Sequence, residues 1–201
     1  MIKQKIIEST IDLFNQKGFA NVRLQHIADK CGISVGNLAY HFNKKEVVVD
    51  HVHELITEEL QEVLSVYGSS PDLMELDLQL DEFHHFINKY PFYFIDILEV
   101  KRSFPKIHER RRQYINRIII QMKKRLKYNM ERGVVNAEAF PGQYEMVAST
   151  IWMIITFWVS QKEIKGENCN DLDLFKTTIW GQVMPLLTNK GRQEYQSLIL
   201  K

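Results

Sequence analysis

The sequence predicts an all-α fold. Apolar residues recur three and four apart almost throughout, Gly and Pro fall between the periodic stretches, and no segment reads convincingly as a strand. Ile6, Ile7, Thr10, Ile11 and Phe14 mark the first helix, which stops at Gly18. Leu24, Ile27, Ala28 and Cys31 mark a short second helix, stopped by Gly32. Ser34 is a good N-cap for a third, running to about Phe42. A fourth is expected from Lys45 to about Val66, ended by Gly68–Pro71.

The amphipathic stripe Leu73, Leu76, Leu80, Phe83, Ile87 and Tyr90 predicts a fifth helix, closed by Pro91. One short helix is expected from about Phe92 to Ser103, and a long one from Pro105 to Arg132 with Gly133 as its C-cap. From about Gly142 to Lys165 comes a helix that is apolar on nearly all sides between Met146 and Val159, so it must be buried on more than one face. A helix over about Leu172–Leu187 and a short tail helix after Thr188 complete the set. The natural division places a helix-turn-helix domain at 1–48 (motif about 23–42) and a larger helical bundle at 49–201.

Overall charge is only +1, yet its distribution is polarised. Residues 1–45 carry seven Lys/Arg against three Asp/Glu, 54–100 carry one against eleven, and 101–132 carry twelve against two. The basic run at 101–132 reads as a solvated face with intramolecular pairing rather than a second nucleic-acid surface, and the preceding acidic segment balances it almost charge for charge. Cys31 and Cys169 form no CxxC pair, and Cys31 reads as a small core residue. The start of the chain lacks the apolar core of a signal peptide. The run Met146–Val159 is shorter than the roughly 20 residues that span a bilayer. A cytoplasmic setting with no membrane partner is expected. His51 and His53 are two apart and His84 and His85 adjacent, so neither pair shares a helix face for a metal; no metal or cofactor is expected. No phosphate-binding glycine loop or nucleophile motif is present, and no catalytic residue is assigned.

The second helix, the turn Gly32-Ile33 and the third helix have the layout of a helix-turn-helix: two short helices at a steep angle joined by a tight glycine turn. Ile27, Ala28, Ile33 and Leu38 can fix the angle. Ser34 leaves free N–H groups facing a phosphate. Val35, Asn37, Tyr40 and His41 remain outward; Asn can pair with an adenine edge and Val can touch a thymine methyl. Tyr40, His41, Lys44 and Lys45 suit phosphate oxygens. Gly36 costs about 1 kcal/mol of helix propensity relative to Ala. Clearance for a groove wall explains that cost, and close helix packing is the alternative.

Ile7–Phe14, Gly18-Phe19, Ile27-Ala28, Gly32-Ile33-Ser34-Val35-Gly36, Leu38, Tyr40-His41-Phe42 and Lys45-Glu46 resemble the N-terminal signature of the tetracycline-repressor (TetR) family of bacterial transcriptional regulators. LLTNKGRQEY near the C-terminus resembles some members more weakly. The resemblance implies that the third helix enters the major groove and that Lys45 contacts a phosphate. The paired Thr common in the family is replaced by Val22-Arg23, so Arg23 is expected to touch a phosphate and Asn21 to cap the second helix.

For the bundle, the resemblance implies a site for a small, mostly hydrophobic effector; the aromatic and methionine residues Phe83, Phe86, Tyr90, Phe94, Met122 and Met153 are candidate lining, with plain core packing the alternative for each. A homodimer interface is expected at Ile151, Ile155, Trp158, Phe175, Ile179 and Val183; a buried central helix in a monomer is the alternative. The functional expectation is a dimeric regulator, a repressor released by its effector from a palindromic double-stranded DNA operator. The alternative is a helical small-molecule-binding or adaptor protein without sequence-specific DNA function.

Overall fold

The computed structural model describes residues 2–65 and 71–199, and the end of the fourth helix at Val66 and the Gly68–Ser70 part of its expected stop lie outside them. The helices in chain order are α1 (Ile2–Lys17), α2 (Leu24–Cys31), α3 (Val35–His41), α4 (Lys45–Ser65), α5 (Leu73–Lys89), α6 (Pro91–Ile95), α7 (Ile97–Ser103), α8 (Pro105–Glu131), α9 (Gln143–Lys165), α10 (Leu172–Val183) and α11 (Asn189–Ile199). A 3-10 turn, Met184–Leu186, follows α10. The only bridge among the described residues is an isolated pairing of Val135 with Leu187. None of the described helices is long and apolar enough to cross a membrane.

The chain divides into two compact units. The first is Met1–Gln61 with Lys89–Arg111, and the second is Glu62–Asn88 with Arg112–Lys201.

In the first unit, Ile6, Phe14, Ile27, Ala28, Leu38, Phe42, Val48 and Ile56 are buried. The Phe14 ring packs on Phe19 and Phe92 at 4.9 and 5.1 Å between centroids, and Phe19 meets Phe104 edge-on at 5.1 Å. The expected single helix after Pro91 is two, parted at Asp96, whose backbone leaves the helical region at φ −87° and ψ 21°. Its Oδ2 accepts from the Phe19 N–H at 2.7 Å. Asn21 also departs from expectation: its side chain donates to Lys17 O at 2.8 Å and closes the end of α1. Arg23 holds the N-cap position of α2 without a side-chain cap bond, and its N–H donates to His26 Nδ1 at 3.2 Å.

In the second unit, α9 buries Ala148, Ile151, Trp152, Ile155, Trp158 and Val159, while α10 buries Phe175, Ile179, Trp180 and Val183. Trp158 packs edge-on against Phe175 at 5.1 Å, and its indole N–H donates to Cys169 O at 3.0 Å. The start of α11 is stapled to the loop after α8. Thr188 N donates to Val134 O at 3.0 Å, and Lys190 Nζ donates to Arg132 O at 2.7 Å. Of the basic residues at 101–132, Lys123 pairs with Glu145 and Arg132 with Glu194 here, and Arg110 pairs with Asp50 in the first unit. None of these three partners comes from the acidic segment 54–100, whose Asp77 and Asp81 instead share Lys176.

Candidate functional site

The turn between α2 and α3 is built as its residues require. Gly32 takes φ +69°, a left-handed conformation that glycine adopts without steric cost. The Ile33 N–H returns to Ala28 O at 3.0 Å, ending α2. Ser34 Oγ then accepts the Asn37 N–H at 3.1 Å and starts α3. Leu38, fully buried, is the anchor of α3 in the core.

The remaining faces of α3 point outward. Gly36, Asn37 and Tyr40 are exposed, Tyr40 by 85 %, and Val35, Ala39 and His41 are half-buried. Arg23, Ser34 and Lys44 are exposed as well. A methyl group at Gly36 would meet nothing nearer than Ser34 Oγ at 3.9 Å, so no neighbouring helix requires the glycine. The face carries an amide, a phenol, an imidazole and cations around a glycine gap, a set that can bond phosphates and base edges.

Lys45 is placed differently. Its Nζ donates to Phe19 O at 2.7 Å and lies over the Phe19 and Phe14 rings at 4.7 and 5.7 Å. Burial holds its pKa below the ordinary lysine value. The ammonium is therefore turned into the first unit, and the cation left at the surface beside it is Lys44.

A cavity of about 320 Å³ lies within the second unit, lined from the end of α4, α5, α8 and α9. Of the six expected lining residues, Phe83 and Met122 line it. Phe86 is buried without lining it, and Tyr90 and Phe94 are core residues of the first unit. Met153 is 54 % exposed on the outer face of α9. Trp152, Gln79 and Arg125 line the cavity and were not foreseen. Arg125 was hidden in a basic run. The signal that finds it is its position, on one helical face with Ile118, Met122 and Asn129.

Ile151, Ile155, Trp158, Phe175, Ile179 and Val183, expected at a dimer interface, fill the protomer's own core and are all no more than 3 % exposed. The face they leave open carries Met146, Met153, Phe157 and Ile164, which are 50–86 % exposed and fall on a single stripe of α9.

Comparison with known proteins adds to this geometry. The profile of "Bacterial regulatory proteins, tetR family" matches residues 6–52, and that of "Bacterial transcriptional repressor" matches residues 56–195. A Bacillus subtilis protein named "Probable HTH-type transcriptional regulator YttP" is 32% identical over 78 residues, 39% of this chain and 38% of that protein's length. The chain thus matches well under half of that relative. A TetR-family transcriptional regulator from Marinobacter aquaeolei VT8 superposes with a TM-score of 0.85 at 22% identity, covering 98% of this chain and 96% of the other. A Saccharomonospora viridis protein solved in complex with choline superposes with a TM-score of 0.74 at 15% identity, covering 93% and 98%.

Proposed function

The chain belongs to the TetR family of bacterial regulatory proteins, and on that premise we propose that it is a dimeric, effector-responsive DNA-binding repressor. The single observation that carries the DNA-binding part is the face of α3. It is exposed, capped by Ser34, and opened at Gly36 where the protein itself needs no gap. Val35 and Asn37 read base edges. Ser34, Tyr40, His41, Lys44 and Arg23 hold phosphates and fix the register. Lys45 supports this face from behind through the Phe19 carbonyl.

The second copy binds at the α9 stripe. Met146, Met153, Phe157 and Ile164 form a continuous apolar line, and exposed lines of that kind mark interaction surfaces. A two-fold pair of α3 helices then addresses a palindromic operator with half-sites about 34–36 Å apart or a multiple. The cavity in the second unit receives the effector; its wall is predominantly apolar and its volume suits a small molecule. The choline complex of the Saccharomonospora viridis protein supports a ligand within this fold. Release from DNA is linkage: the effector binds the non-binding conformation more tightly.

Selection of DNA from a random pool tests this reading. Enrichment of an inverted repeat supports it, and failure of any sequence to enrich counts against it. Light scattering tests the dimer: the wild type should weigh two chains and Phe157→Glu one.

A further inference from the structure

The wall of the cavity is apolar apart from Gln79, Gln121, Lys124 and Arg125. Arg125 is only 8 % exposed. Among the described residues its guanidinium makes one hydrogen bond, from Nη1 to Gln79 Oε1 at 2.6 Å, and no carboxylate lies within ion-pair distance. Gln79 cannot balance the charge, since its amide is neutral and its Nε2 already donates to Val63 O at 3.1 Å. The carboxylates of Glu75 and Asp72 act on Arg125 only from a greater distance. An arginine offers five N–H donors in a planar fork, so most of this fork is left for something else in the cavity. Lys124, exposed at the mouth, has no ion-pair partner among the described residues, whereas its neighbour Lys123 is taken by Glu145.

Resting on the effector reading above, we propose that the effector is an amphipathic acid whose apolar body packs among Leu80, Phe83, Met122 and Trp152 and whose carboxylate pairs with Arg125. The fork geometry of the guanidinium matches a carboxylate with two parallel bonds. A neutral head group of the same length cannot take the paired, charge-assisted bonds that the guanidinium offers and loses their energy. A cationic head group meets like charge from both Arg125 and Lys124. Lys124 at the entrance adds attraction for an anion without being buried itself.

Isothermal titration of the full chain with decanoate, 1-decanol and decylamine tests the head group directly, with DNA affinity measured in parallel. Decanoate should bind about ten- to a hundredfold more tightly than decanol. Arg125→Met should erase that margin while leaving decanol affinity unchanged, and Arg125→Lys should retain part of it. Should Arg125→Met fail to fold, Lys124→Ala lies on the surface and should weaken decanoate by about two- to fivefold with decanol unaffected. Equal binding of the three head groups, or preference for the amine, overturns the acid and leaves an effector cavity in place. Decanoate bound through Arg125 without any change in DNA affinity keeps the acid site and overturns the effector reading. No binding by any of the three overturns the acid.

Discussion

Lys45 reaches from the first turn of α4 to the carbonyl oxygen of Phe19 and donates there across 2.7 Å. The same residue's N–H is held by Asp96 Oδ2, also at 2.7 Å, so Phe19 is fixed at both backbone polar groups. This clamp sets the loop between α1 and α2, and hence the base on which the helix-turn-helix stands. Replacing Lys45 by Met should cost about 1.5–3 kcal/mol of stability in urea unfolding, the worth of a hydrogen bond from a charged donor. Lys44→Ala should leave stability unchanged. It should weaken binding to all DNA sequences alike and flatten the salt dependence by about one counterion.

Gly36 separates two explanations cleanly. The free protein has room for a methyl group there, so Gly36→Ala should raise stability by up to about 1 kcal/mol through helix propensity. If the gap serves a groove wall, the same substitution should weaken DNA binding. Asn37→Ala should instead narrow the difference between operator and random DNA, by about 1–3 kcal/mol. Competition binding with both DNAs distinguishes the two effects.

His53 gives the first unit a pH dependence. It is buried beside Tyr93, with Arg110 and Arg111 adding positive charge and Asp50 opposing them. Burial above all, and then the two arginines, push its pKa from 6.5 down to about 4. Between those values the unfolded chain binds the proton and the folded chain does not, so stability falls as pH drops. The loss from pH 7 to pH 5 should be about 2 kcal/mol. His53→Gln should remove most of that slope, as read by thermal unfolding at both pH values.

Gly191 tests the attachment of α11. A methyl group there would collide with the Val134 carbonyl, whose oxygen already accepts from Thr188. Because the obstruction is backbone, it cannot swing aside. Gly191→Ala should therefore destabilise the second unit by about 2 kcal/mol or more, in the range of overpacked cores.

The local rules written in the sequence carried far. Gly32, Ser34 and the apolar spacing of α2 and α3 determine the turn, and each acts through neighbours within a few residues. What escaped depends on partners distant in sequence. The break between α6 and α7 falls at Asp96, whose carboxylate is bonded to Phe19, 77 positions away. Lys45 turns inward because two phenylalanine rings and a carbonyl wait there. In α9, apolarity on two faces signals two burials but not which face meets the core. Ile151, Ile155 and Trp158 took the inside, and Met153 and Phe157 were left out. Arg125 carried no local mark at all, since a basic run looks the same whether one member lines a cavity or not.

Of all these tests, the most direct is the affinity of the full chain for the DNA upstream of its own gene, measured by fluorescence anisotropy across a salt series. The reading given for α3 predicts specific binding that falls steeply with salt, with log affinity linear in log salt concentration, and that weakens on Gly36→Ala. Absent binding, or binding indifferent to salt and to Gly36→Ala, would contradict it.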